Sequence, residues 1–197
     1  MKIIDRALKE FDLKEDSVWA VRSSGGLEDS FSTSFAGQNR TYLNVKLKEL
    51  PKRVLDVSYS NESERVKEYS KRNNVNCDSI NVLIQEMISS PQISGVIFTK
   101  NPITNNKNHF VIEVVEGIGE KLMSGKISPS SYIINKNNLE VIEFYEGDSK
   151  VNLSKNQIKE LVKYGNTIDE MFGWNSDIEF CYNNNKINFL QVRPITT

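Results

Sequence analysis

The spacing of hydrophobic and polar positions changes character near residue 80. Over residues 1–13, Ile3, Ile4, Ala7, Leu8 and Phe11 recur at helical spacing and predict an amphipathic helix. Residues 17–21, Ser-Val-Trp-Ala-Val, read as a short buried strand, and a polar, glycine-bearing stretch follows at 22–30. A second strand is predicted at 41–45, then helices over 47–59 and 63–72. Beyond residue 80 the pattern turns to strands, at 82–88, 94–99, 110–115, 131–134 and 139–145. Between them fall a turn at Asn101 and Pro102, a loop over 117–125 and a hairpin turn about Asn137 and Asn138. Ser154 predicts the N-cap of a helix running to Phe172. Two last strands, 177–182 and 187–192, are joined through Asn183, Asn184 and Asn185. Helices first and a mostly antiparallel sheet afterwards predict an α+β fold. The chain reads as one module over 1–197, with a helix-rich part at 1–79 and a sheet-rich part at 80–197.

Composition narrows the class. A length of 197 residues with 38% hydrophobic positions suffices for one domain with a core, or for two small lobes. A net charge of −1 leaves no electrostatic footprint for nucleic acid or for an acidic membrane surface. No apolar run approaches the roughly 20 residues of a membrane span, and none follows Met1, so a cytoplasmic protein is expected. Cys77 and Cys181 are too far apart in sequence to suggest a disulfide framework or a zinc cluster. The single histidine, His109, argues against a His-rich metal site and against a self-contained Ser/His/Asp enzyme. Asparagine clusters mark tight connections, because asparagine tolerates turn and left-handed backbone.

The terminal hairpin carries the clearest chemistry. Alternate side chains of a strand share a face, so Asp177 and Glu179 point one way while Ile178 and Phe180 point the other. On the second strand Gln191 and Arg193 share a face, opposed by Leu190 and Val192. With an odd number of loop residues, such as the asparagine triplet, all four polar groups fall on one face. Two carboxylates, an amide and a guanidinium in one patch suit a magnesium–triphosphate site. Mg²⁺ takes hard oxygen ligands and usually only one or two protein carboxylates, and a guanidinium grips phosphate through two hydrogen bonds. A solvated strand face of alternating charge has the same pattern.

Three further segments offer chemistry. Arg22-Ser-Ser-Gly-Gly, directly after a strand, has the hydroxyls, amides and cation of a phosphate cradle, or of an ordinary surface turn. Its spacing is neither that of a Walker loop nor that of a dinucleotide fingerprint. In Ile84-Gln-Glu-Met-Ile88 a buried strand becomes polar, so its backbone could meet an adenine edge with Met87 against the ring; Met87 also fits as core filler. Gly117-Ile-Gly-Glu120 suits a phosphate-proximal loop or a bulge.

In this order the segments resemble the nucleotide-binding domain of phosphoenolpyruvate synthase and pyruvate phosphate dikinase. The resemblance is carried by Val18-Trp-Ala-Val-Arg-Ser-Ser24, Glu28-Asp29, Ser34-Phe-Ala-Gly-Gln38 and Thr41-Tyr-Leu-Asn-Val45. It continues through Ile84-Gln-Glu-Met87, Ser94-Gly-Val-Ile-Phe-Thr99, Asn101-Pro102, Gly117-Ile-Gly-Glu120, Ser124-Gly125 and Pro129. Asp177-Ile-Glu179 and Gln191-Val-Arg-Pro-Ile-Thr196 close it. The resemblance implies an ATP-grasp fold whose two lobes clasp ATP. It implies that Arg22 and Arg193 are the catalytic cations on the phosphates, and that Gln85, Glu86 and Met87 form the hinge against adenine. Glu179 and Gln191 would bind Mg²⁺, with Asp177 as a supporting acidic group.

Enzymes of this layout pass the phosphoryl group from ATP to a histidine on a swivelling domain, and then to a separate acceptor domain. The acceptor in such enzymes is pyruvate or another small molecule, including rifamycin antibiotics and the glutamine amide. Several features depart from the pattern. The family's glycine-lysine motif ahead of the Val-Arg-Ser-Ser strand is not found, Gly25-Gly26 replaces the commoner Ala-Thr, and Phe180 stands where tryptophan is usual. His109 has no swivelling-domain surroundings. The expectation is therefore an ATP-dependent phosphotransferase module, truncated at one lobe and completed by missing domains or partner chains. A non-catalytic, nucleotide-binding or regulatory remnant is the alternative.

Overall fold

The computed structural model describes residues 2–11, 13–24, 29–30, 33–34, 41–59, 81–123 and 125–196. The predicted helix over 63–72, both glycines of Gly25-Gly26 and most of the 34–38 segment lie outside the described residues. The chain divides into two units, Met1–Ser89 and Ser90–Thr197.

The first unit contains α1 (Lys2–Leu8), β1 (Val18–Ser24), β2 (Asp29–Ser30), β3 (Thr33–Ser34), β4 (Thr41–Lys46), α2 (Leu50–Ser58) and β5 (Asn81–Glu86). A 3-10 turn over Leu47–Glu49 leads into α2, whose proline, Pro51, sits in the first turn where a missing N–H costs nothing. β1 is the central strand of an antiparallel sheet in the order β4-β1-β5. Trp19, Val21, Val45, Leu50 and Val57 form the core of this unit.

One expectation changes here. The strand was expected to end at residue 21, but β1 runs on through Arg22, Ser23 and Ser24, which pair with Leu83, Val82 and Asn81. Arg22 and Ser24 read as loop because the exposed or half-buried face of a strand needs no hydrophobic side chain, and Ser23 is a polar residue on the buried side. The boundary between the compact units falls after Ser89. β5 belongs with the first unit because it pairs with β1 along its whole length.

The second unit contains β6 (Ile93–Phe98), β7 (His109–Glu116), α3 (Glu120–Met123), β8 (Ser130–Asn135), β9 (Val141–Tyr145), α4 (Lys155–Phe172), β10 (Ser176–Asn183) and β11 (Lys186–Pro194). Its six-stranded sheet is antiparallel throughout, in the order β11-β10-β6-β7-β8-β9. The expected loop over 117–125 holds the short helix α3.

α4 covers one sheet face. Ser154 caps it with a reciprocal pair: its hydroxyl accepts from the Gln157 N–H, and the Gln157 side chain accepts from the Ser154 N–H. Gly173, at φ 78°, closes the helix in left-handed backbone. Ile158, Leu161, Val162, Gly165 and Ile168 turn inward onto Phe110, Ile112, Ile134, Ile178 and Phe180. A Cβ on Gly165 would lie 2.5 Å from the Phe110 ring, so the helix sits as close as it does because residue 165 has no side chain.

The asparagine turns have specific causes. Asn101 Oδ1 accepts the N–H groups of Ile103 and Thr104. Asn135 and Asn138 accept from the backbone two residues on, shaping the β8–β9 connection. Asn184 and Asn185, at φ 51° and 59°, form the two-residue turn between β10 and β11.

Candidate functional site

The β10–β11 hairpin brings four predicted residues onto one face, by a route other than the expected one. Asn183 is not a loop residue; it pairs with Lys186, leaving an even, two-residue loop. With regular pairing such a loop would set Glu179 opposite Leu190 and turn Gln191 and Arg193 toward the α4 side. A bulge intervenes. Phe180 pairs with Phe189, yet Glu179 pairs with Gln191, so Leu190 is the extra residue. Beyond it Asp177 opposes Arg193. All four polar side chains therefore share the face opposite Ile178 and Phe180.

Arg193 connects the two carboxylates. Its Nε–H donates to Asp177 Oδ2 at 2.9 Å, and an Nη2 hydrogen to Glu179 Oε1 at 3.5 Å. These side chains retain only 15–22% of their exposure, so bulk water screens the pair weakly. The backbone that carries Asp177 is pinned one residue earlier. Thr99 Oγ1 accepts the Ser176 N–H at 2.7 Å and donates to Asp169 Oδ1 at 2.9 Å, while Asn175 Nδ2 donates to Asp169 Oδ2. Thr99 and Ser176 are fully buried.

The same face holds a carboxylate that sequence reasoning passed over. Glu179 pairs with Val96 on β6, and Val96 pairs with Glu113 on β7, so Glu113 stands two strands away in the same transverse row. Burial, and then the charge of Asp177, push its carboxyl above the usual carboxylate range. The signal available in the sequence was one acidic residue inside the apolar run Phe110-Val-Ile-Glu-Val-Val. Among the described residues no three His, Cys, Asp or Glu side chains converge on one point. A cation here would complete its shell from phosphate and water.

In the first unit, Arg22 opposes Leu83 and Thr41, and the neighbouring pair is Ala20 with Gln85. Alternation places Arg22 and Gln85 on one face, opposite Trp19 and Val21 of the core. Met87 donates its N–H to Val18 O at 2.9 Å. Bonded and non-bonded positions alternate in an antiparallel pair, so Glu86 turns its N–H and C=O away from β1, on a strand that is at the sheet edge among the described residues. The Met87 sulfur accepts the Asn44 N–H at 3.0 Å, and Asn44 adopts φ 55°. The Glu86 carboxylate accepts from Ser17 Oγ.

The chain matches the family described as the pyruvate phosphate dikinase AMP/ATP-binding domain, over residues 1–152 and 143–197. It belongs to that family. Curated relatives include a probable phosphoenolpyruvate synthase of Methanocaldococcus jannaschii, 35% identical over 93% of this chain and 18% of its own length. A Bacillus subtilis protein named uncharacterized phosphotransferase YvkC is 35% identical over 90% of this chain and 24% of its own. The rifampicin phosphotransferase of Bacillus cereus is 34% identical over 93% and 24%. The chain thus spans about a fifth to a quarter of these relatives. Among solved structures, the D-alanine-D-alanine ligase of Helicobacter pylori overlays 98% of this chain with 46% of its own, at TM-score 0.43 and 16% identity. Among the described residues, no helix is long and apolar enough to cross a membrane.

Proposed function

We propose that this chain is the ATP-binding module of an ATP-grasp phosphotransferase, and that the polar face of β10 and β11 is its Mg·ATP end. The observation that carries this reading is the pairing of Glu179 with Gln191 and of Asp177 with Arg193 on one face. Directly opposed residues in an antiparallel pair hold their Cβ atoms about 5 Å apart. A carboxylate and an amide carbonyl at that separation are a fitting donor set for Mg²⁺, which prefers hard oxygen ligands and keeps several non-protein positions. Bound there, the ion would neutralise phosphate charge.

Each residue has a task of its own. Glu179 and Gln191 hold the cation; Arg193 presents donors to the phosphates, anchored through Nε on Asp177. Arg22 supplies a second phosphate contact. The hinge reading is assigned to the Glu86 backbone, whose edge-facing N–H and C=O match the donor and acceptor on an adenine edge. Met87 lies beside it, held by Asn44. Gln85 shares the Arg22 face.

Phosphoryl transfer demands positioning and charge neutralisation more than covalent work by the protein. The phosphoryl group would pass from ATP to a histidine on a swivelling domain, and from there to pyruvate or another small acceptor. The test is a transfer assay with radiolabelled ATP and a separately expressed histidine domain of a relative. Label on that histidine supports the reading. Saturable Mg·ATP binding with no label would favour the non-catalytic remnant.

A further inference from the structure

We propose that Arg193 is the resident counter-ion of Glu179, so that a divalent cation and the guanidinium compete for one carboxylate. Cation binding would then release the distal edge of Arg193 to the phosphates. This inference rests on the Mg·ATP reading and adds to it an order of events and a role for Asp177.

The contacts of Arg193 with Asp177 and with Glu179 differ in kind. The bond to Asp177 is short, at 2.9 Å, and links residues directly opposite each other. The contact with Glu179 is diagonal and long, at 3.5 Å, because Glu179 stands opposite Gln191 instead. Of the two, the Glu179 contact is the one that yields. A divalent ion on Glu179 and Gln191 places two positive charges beside a third, in a site where side chains keep about a fifth of their exposure. Repulsion moves the Nη edge away, while the in-register bond from Nε keeps the residue on the face. Asp177 is thus a positioning residue for Arg193. Cation and triphosphate are coupled: without phosphate the guanidinium opposes the metal, and with phosphate it joins it. By reciprocity each ligand tightens the other.

The test reads Mn²⁺ in place of Mg²⁺, by the electron paramagnetic resonance of the free ion, on the full chain. Without nucleotide, Arg193→Gln should bind Mn²⁺ about tenfold more tightly than the parent, because the competing charge is gone. With ATP present it should bind at least about tenfold more weakly, because a charge-assisted phosphate contact is lost. Unchanged or weaker Mn²⁺ binding in the nucleotide-free variant overturns the counter-ion proposal, since a merely structural arginine gives that result. A parent chain that binds neither Mn²⁺ nor ATP overturns the Mg·ATP reading itself. A second measurement needs no variant. In the parent, Mg²⁺ alone should shift the Arg193 Nη proton resonances and leave the Nε–H protected from solvent exchange; an unmoved Nη signal at saturating Mg²⁺ contradicts the proposal.

Discussion

Glu179 faces Gln191 across the terminal hairpin because Leu190 has no opposite number. That one unpaired position decides which side of the sheet the two last polar residues occupy. Deleting Leu190 leaves Phe189 and Gln191 adjacent and still alternating, so the deletion variant should keep the polar face and its nucleotide affinity. Inserting an alanine after Leu190 also restores alternation but moves the register by two, setting Gln191 opposite Asp177 and carrying Arg193 past both carboxylates, so nucleotide affinity should fall. Urea unfolding and nucleotide titration of the two variants separate these outcomes. Equal nucleotide affinity in the two variants would show that the register of β11 does not place the site.

The start of β10 depends on Thr99. Replacing it by valine removes the acceptor of the buried Ser176 N–H and a donor to Asp169. The expected loss is about 1–3 kcal/mol, the cost of leaving a buried donor unmade. Ser176→Ala is the control, because its hydroxyl makes only a 3.5 Å contact with Trp174 O. If both variants unfold at the same urea concentration, the Thr99 network does not hold the strand.

Glu113 gives a pH dependence of known sign. Burial and the Asp177 charge raise its folded-state carboxyl above the ordinary 4.5. Its contribution to stability is then fully present below the unfolded value and is lost as pH rises through the raised folded value. At neutral pH the group therefore opposes folding, so Glu113→Gln should be the more stable protein there. The gain should stay under about 1 kcal/mol, since the half-buried site is partly screened by water. It should vanish by about pH 3, well below the ordinary carboxyl value, where both native and unfolded carboxyls are protonated. A gain of equal size at both pH values would assign it to packing.

Local chemistry made much of this molecule legible in advance. Ser154 and the apolar spacing behind it announced α4 to its last residue, because a capped amphipathic helix is written in contiguous positions. Asn137-Asn138 and Asn184-Asn185 marked turns that are equally local. Features set by distant pairing were harder to read. Arg22, Ser23 and Ser24 are strand because Leu83, Val82 and Asn81 lie beside them, some sixty residues along the chain. The bulge had one trace, the adjacent apolar pair Phe189-Leu190 that breaks the alternation of β11. Glu113 was hidden by its neighbours: only the register of β10, β6 and β7 puts it in the row of Glu179.

The most direct test is calorimetric titration of Mg·ATP into the parent chain and into Glu179→Ala, with circular dichroism on both. The parent should bind saturably, and Glu179→Ala should lose tight binding with an unchanged spectrum, since the ion pair removed with Arg193 is partly exposed. No binding by the parent at millimolar Mg·ATP would contradict the Mg·ATP reading, as would equal affinity in the folded variant.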